Sequence, residues 1–210
     1  MRGRQAEAAR NDRRLLEAAR EVFASQGFDA PVSAVAERAG VGIGSLYRRY
    51  GSKTELLQRL CVLAMEQATE SAEEGLRADD PWDGLAGHIR RSVAFQSGAL
   101  GPLAGQIDTT PDMWSTSRRV RKLVDDLVRR AREAGALRPD VTALDVSLLI
   151  ELFSRGGRAE PTAEDVNNRD RLLAISLDGL RVLDAGPLPG HPPWRSHYES
   201  PWRGPDRTDN

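Results

Sequence analysis

Cysteine is almost missing from this chain: Cys61 stands alone among 210 residues. No internal disulfide can form, and a reducing compartment is the expectation. Cys61 itself reads as a small core residue on a helix; the alternative is a redox-sensing thiol with no partner in the chain. Histidine is scarce too. His88, His191 and His197 are the only three, and two of them fall near the C-terminus. That leaves little material for general-base catalysis or for a metal site. Long apolar runs are lacking, so no stretch approaches the roughly 18 residues that a membrane span needs. The N-terminus, Met1-Arg2-Gly3-Arg4, has no apolar signal core, so the expected location is the cytoplasm, with no membrane partner. Also lacking are strand-like alternation, internal repeats, a glycine-rich phosphate loop and a nucleophile elbow. Adjacent acids occur at Glu73-Glu74, Asp79-Asp80 and Asp125-Asp126. Neighbouring helical residues point about 100° apart, so such pairs do not converge on one substrate. An enzyme is therefore the weaker alternative, and no cofactor is expected.

Charge of one sign is not in excess: the formal net charge is -1. Its distribution is uneven, because Arg2, Arg4, Arg10, Arg13 and Arg14 precede residue 15 against only Glu7 and Asp12. A basic terminus is typical of an arm that follows DNA, and equally of a disordered tail.

What is present is helical spacing. Leu15, Ala18, Ala19, Val22 and Phe23 share one face until Gly27 ends the run. Leu56, Leu57, Leu60, Cys61, Ala64 and Ala68 form a second stripe, opened by the capping box Ser52-Lys53-Thr54-Glu55. Asp80-Pro81 and Thr110-Pro111 mark two more starts, with proline where its missing amide hydrogen costs nothing. Val120, Leu123, Val124, Leu127, Val128 and Ala131 follow the second of these, and Gly135 closes it. Residues 142–153 and 172–183 are apolar around most of the helix circumference. Gly98, Gly101, Pro102 and Gly105 interrupt the pattern, marking either a plain loop or a segment able to move. From Ala185 onward Pro187, Pro189, Pro192, Pro193, Pro201 and Pro205 predict an extended or disordered tail without regular helix. Trp194, Tyr198 and Trp202 in that tail either dock on the body or serve a partner.

Residues 32–50 read VSAVAERAGVGIGSLYRRY. Val35, Ala36 and Ala39 give a short helix one apolar face, and Gly40 supplies a turn with positive φ. A second short helix begins near Ile43 with Leu46 and Tyr50 inward. Helix, glycine turn and helix is the spacing of a DNA-reading helix-turn-helix, although any crossed pair of short helices can imitate it.

The wider stretch 11–57 resembles the TetR family of bacterial repressors. The resemblance lies in LLEAAREVFASQGF followed by VAERAGVGIGSLYRRYGSKTELL, and in the ordered set Ala39-Gly40-Val41, Leu46-Tyr47, Tyr50 and Lys53. It implies that Tyr47, Arg49 and Lys53 meet phosphates, with Arg48 beside them, and that Ser33, Ile43, Gly44 and Ser45 approach base edges. Read without the resemblance, Tyr47 could be a core aromatic, and Arg48 and Arg49 a solvated face. Two positions depart from the family pattern. Pro31 replaces the usual hydroxyl cap, and Gly42-Ile43-Gly44 replaces polar residues. Ile43 can press on a thymine methyl but cannot hydrogen-bond a base, so direct readout should be sparse.

The expected fold class is all-α: an N-terminal three-helix DNA-binding domain, then a helical ligand-binding and dimerisation domain of about six helices. The expected boundaries are 1–10 for a basic flexible arm, 11–51 for the helix-turn-helix domain, 52–184 for the second domain and 185–210 for the tail. The resemblance implies a homodimer built on a four-helix bundle, two helices from each chain. Surplus apolar faces after residue 142 nominate Leu148, Leu152, Leu173, Leu177 and Leu180, each of which could instead be intrachain core. A small-molecule effector would lie among the middle helices, with Met65, His88, Phe95, Met113, Trp114 and Phe153 as candidates. That lining is mainly apolar, and His88 is as readily a satisfied core histidine. The functional expectation is a repressor on palindromic double-stranded DNA, released by a mainly apolar ligand. An activator, or a helical interaction module that has lost its DNA, are the alternatives.

Overall fold

The computed structural model describes residues 2–154, 162–181 and 186–203, with side chains from Asp12 onward apart from that of Pro102. Among these residues the chain is helical, with one isolated bridge between Leu137 and Arg181. The helices are α1 (Arg2–Gln26), α2 (Val32–Ala39), α3 (Ile43–Tyr50), α4 (Lys53–Arg77), α5 (Pro81–Ala94), α6 (Pro111–Glu133), α7 (Ala143–Ser154), α8 (Ala163–Leu180) and α9 (Arg195–Arg203). Among the described residues none of them is long and apolar enough to cross a membrane. Contacts divide the chain into two compact units, and the division falls inside α4, between Cys61 and Val62. The first turns of α4 therefore pack with α1–α3.

In the first unit α1 and α2 pack together around Leu15, Ala19, Val22, Phe23, Val32, Val35 and Ala36, all buried. Residues 2–10, expected as a separate arm, continue α1 instead. Their Arg, Gln, Glu and Ala content favours helix; the side chains of Arg2, Arg4 and Arg10 lie outside the described residues. Cys61 is buried, and burial pushes its thiol up to about 12, which is the behaviour of a core residue.

The second unit is organised around Leu85, Ile89, Val93, Leu127, Val128, Val146, Ile150, Leu173 and Leu177. Caps set its helix starts. The Asp80 side chain accepts from the amide of Asp83, and the Thr110 hydroxyl from that of Met113. Two further boxes, Thr142 with Asp145 and Thr162 with Asp165, open α7 and α8. Both follow a T-x-x-D pattern, whereas at the start of α4 only half of the expected box forms: the Ser52 hydroxyl accepts the Glu55 amide at 3.1 Å, and the Ser52 amide turns to the Tyr50 carbonyl. At the other end of α4, Arg130 donates to the carbonyls of Leu76 (2.9 Å) and Ala78 (2.6 Å), which the helix leaves unpaired. Nearby, α4 and α5 cross backbone to backbone: a Cβ on Gly75 would stand 2.5 Å from the Gly84 carbonyl oxygen. The segment after α5 winds as a 3-10 turn, Ser97–Leu103, packed on α7. Its glycines are required by contact: a Cβ on Gly98 would reach the Glu151 backbone, and one on Gly101 the Glu151 carboxylate.

The tail departs from expectation. Residues 195–203 form α9 despite Pro201. Pro201 lies in the last turn, where it removes a single donor, and the Ser200 hydroxyl satisfies the His197 carbonyl at 3.1 Å. Residues 186–194 carry no helix, as expected of the tail, while residues 185 and 204–210 lie outside the described residues, as do Arg155 and residues 182–184.

Candidate nucleic-acid interface

The helix-turn-helix follows from local chemistry. Gly40 ends α2 in the left-handed region at φ 67°, and its amide bonds back to Glu37. The Val41 amide reaches the Ala36 carbonyl at 3.0 Å, which folds the turn against α2. Pro31 starts α2 with no side-chain cap, as its lack of a hydroxyl requires. Gly42 precedes α3, also without a side-chain cap.

Only two residues of α3, Leu46 and Tyr50, turn inward; both are buried. Ile43, Gly44, Ser45, Tyr47, Arg48 and Arg49 are all exposed, and Ile43 and Tyr47 each show 45% of their surface to solvent. A large aliphatic and a tyrosine on one open helix face leave substantial apolar area wet, alongside two arginines. Tyr47 is thus a surface aromatic. Ser33 is exposed on α2. Lys53 opens α4 half-buried, its ammonium 5.8 Å from the centroid of the Phe23 ring.

Two of the charged candidates have intramolecular partners. Arg49 donates through Nε to Asp12 of α1 at 2.9 Å, and the Tyr50 hydroxyl donates to the same oxygen at 2.5 Å. Burial alone would raise the Asp12 pKa, but these two hydrogen bonds hold it below the ordinary carboxylate value. Burial first, and then the same carboxylate, push the Tyr50 phenol up, so the phenol stays a donor. Arg48 donates to the Ser45 hydroxyl at 2.8 Å, so Ser45 is engaged within its own helix. Asp12 is a site residue that sequence reasoning misses. It stands 37 residues from Arg49, and nothing in local spacing joins them.

The effector candidates spread over four helices of the second unit. Met65 on α4, Phe95 after α5, Trp114 on α6 and Phe153 on α7 are half-buried; Met113 is buried. His88 is also buried, its Nδ1 3.2 Å from the Ser71 hydroxyl, which in turn accepts from Arg91 at 3.1 Å. Burial first, and then the Arg91 charge, lower the His88 pKa to about 4, so the ring is neutral.

The dimer candidates divide. Leu148 and Leu152 are exposed, at 38% and 64%. Leu173 and Leu177 are instead part of the intrachain core, with Leu180 packed half-buried against it. The apolar residues of α8 that face out are Leu172 and Ile175, at 56% and 57% exposure, while Val166, at 36%, lies near the start of the helix on the Leu173–Leu177 side. With apolar residues on both sides of α8, spacing could not say which side the chain covers itself. Among the described residues no group of three or more His, Cys, Asp and Glu is placed to hold a metal.

Residues 15–60 match the family model described as bacterial regulatory proteins, tetR family, and residues 80–182 match that of the transcriptional regulator SbtR-like C-terminal domain. The chain is 27% identical over 195 residues to the HTH-type transcriptional regulator UidR of Escherichia coli K12, covering 88% of this chain and 96% of that one. It is 28% identical over 152 residues to the HTH-type transcriptional repressor AcnR of Corynebacterium jeikeium, covering 68% and 76%. A TetR transcription regulatory protein from Mycobacterium vanbaalenii superposes with a TM-score of 0.60 at 27% identity, over 85% of this chain and 99% of that one. The open face of α3, the glycine turn before it and these matches across both units agree: the chain belongs to the TetR family and is a DNA-binding transcriptional regulator, not an enzyme.

Proposed function

We propose that this regulator is a repressor that grips a palindromic operator as a homodimer and lets go when a small, mainly apolar ligand binds its second unit. The observation that carries the DNA half is the face of α3, which buries only Leu46 and Tyr50 and leaves every other side chain for a groove. On this reading Tyr47, Arg49 and Lys53, with Arg48, hold phosphates, while Ser33, Ile43, Gly44 and Ser45 approach bases. Repression follows the relative AcnR, which carries that description.

Members of this family bind DNA and typically act as dimers. A second copy of this chain is the occupant we assign to the exposed apolar residues Leu148 and Leu152 on α7 and Leu172 and Ile175 on α8. Two-fold symmetry then demands two related half-sites, centred about 34 Å or a multiple of it apart. The effector would take the apolar and aromatic surface of Met65, Phe95, Met113, Trp114 and Phe153, beside the neutral His88. To release DNA it must favour a dimer shape with misplaced α3 helices, since equal affinity for both shapes shifts nothing.

The test is nuclease footprinting of the full chain on the DNA flanking its own gene. Two protected half-sites related by a two-fold, with protection fading as salt rises, are expected. Absence of any protected palindrome there and across genomic fragments would remove the repressor reading.

A further inference from the structure

The C-terminal segment lies past residue 182, where the match to the C-terminal family model ends. It is nonetheless tied to the second unit at two places. At the first, Arg138 donates to the Gly186 carbonyl at 2.8 Å, and Asp140 accepts the Leu188 amide at 2.8 Å. At the second, α9 lies along α6. Glu199 is its one buried residue; it accepts from Arg121 of α6 at 2.5 Å and from Arg203 at 2.8 Å. Arg195 reaches Asp125 at 3.4 Å. The Arg203 guanidinium stands 5.6 Å over the Trp114 ring. Thr109 joins the two sides: its hydroxyl accepts the Trp114 indole hydrogen at 3.0 Å and donates to the Trp202 carbonyl at 3.5 Å.

This attachment differs in kind from the rest of the unit. The other helices are held by buried aliphatic side chains, whereas the one buried residue of α9 is a carboxylate, with the aromatic side chains of Tyr198 and Trp202 half-buried beside it. A helix of nine residues is too short to persist without its contacts. A short element held by a few ion pairs and two half-buried aromatics opens locally at far less cost than global unfolding. What it covers is the Thr109–Trp114 end of α6, beside buried Met113.

We propose that α9 is a releasable cap over this end of α6, latched by Glu199 between Arg121 and Arg203, and that its opening admits small apolar molecules to Trp114. The cap rests on the effector reading only for the identity of what passes through it.

The experiment uses the full chain carrying Glu199→Gln and, separately, Arg121→Met, which breaks the same latch from the other side. Hydrogen exchange should quicken at least about tenfold in residues 195–203 of both variants, while the amides of residues 124–131 in α6 keep their protection. Acrylamide quenching of tryptophan fluorescence should rise, and the part of that rise due to Trp114 should vanish in a Trp114→Phe background. Binding of anilinonaphthalenesulfonate, the apolar probe, should strengthen several-fold. Unchanged protection of α9 would overturn the proposal, as would loss of protection in α9 and α6 together, which would make α9 part of the core. Opening of α9 without added quenching or dye binding would overturn it as well, since the cap would then cover nothing. These readouts need neither operator nor effector, so a rigid α9 defeats the cap while the effector reading stands, and an effector that never emerges defeats that reading alone.

Discussion

The Tyr50 hydroxyl at the end of α3 donates to Asp12 of α1 at 2.5 Å, and this one bond ties the reading helix to the helix that begins the chain. Arg49 reinforces it from the neighbouring position. Tyr50→Phe leaves the ring packed but strips a charged, partly buried acceptor of one of its two donors, leaving Arg49. We expect a loss of about 1–3 kcal/mol in stability, with a further loss of operator affinity because α3 is less firmly held. Thermal melting and operator titration of the same variant check both. Unchanged melting would mean that the bond contributes nothing.

Phosphate and base contacts separate by salt. Removing the charge of Lys53 should weaken all DNA sequences alike and flatten the salt dependence by about 0.9 log units for each phosphate that is no longer neutralised, counted over both subunits. Ile43→Ser should leave that slope in place and change the base preferred opposite it. Arg49 should show a mixed response, since Asp12 already shares its charge. The measurement is a binding series at several salt concentrations on the operator and its single-base variants. A changed base preference with an intact slope in Lys53→Ala would reverse the assignment.

The exposed faces of α7 and α8 give a dimer test with an internal control. Leu152→Glu combined with Ile175→Glu places charge on two open residues and should yield folded monomers by light scattering. Leu177 sits at 1% exposure in the intrachain core, so Leu177→Ala should instead cost about 2–5 kcal/mol and leave the association of the remaining folded protein intact. A doubly charged variant that stays dimeric would place the interface elsewhere.

Much of the first unit was readable from spacing and turn chemistry. Gly27, Gly40 and Ser52 punctuate it in the structure as they do in the sequence, and Leu46 and Tyr50 face inward as their spacing requires. The family resemblance was likewise legible there, because its motifs are dense. Long-range relations were not: Asp12 with Tyr50, and Glu199 with Arg121, join residues far apart in the chain, and periodicity carries no information about such pairs. The tail misled for a related reason. Proline counts argued against helix, yet Pro201 falls in a final turn where its cost is one hydrogen bond that Ser200 offsets.

Cys61 should be inert in the folded chain. Its thiol is buried and pushed up to about 12 by that burial, so little nucleophilic thiolate forms at neutral pH. Iodoacetamide should label it only on unfolding, which mass spectrometry can follow against denaturant. Rapid labelling of the native protein would restore the redox reading.

Acid should act on the second unit through His88 before it acts through carboxylates. Buried against Ser71, with Arg91 close by, His88 has its pKa lowered to about 4 from 6.5. Below pH 6.5 the unfolded chain takes up a proton at this ring, and the folded chain declines it until about pH 4. The unfolded state therefore binds more protons throughout that window, and stability falls as pH falls. It is complete above the unfolded value and declines on the way down, by on the order of 3 kcal/mol across the window. Asp12 and Glu199, whose pKa values are lowered below those of ordinary carboxylates, surrender their share only at lower pH still. His88→Gln keeps a polar side chain that can face Ser71 but cannot take up the proton. Its stability should be lower than that of the parent at pH 7 and nearly flat between about pH 6.5 and 4.5, where the parent declines. Urea denaturation at intervals across that range measures the difference. Parallel curves for the two proteins would show that His88 is not the group that titrates.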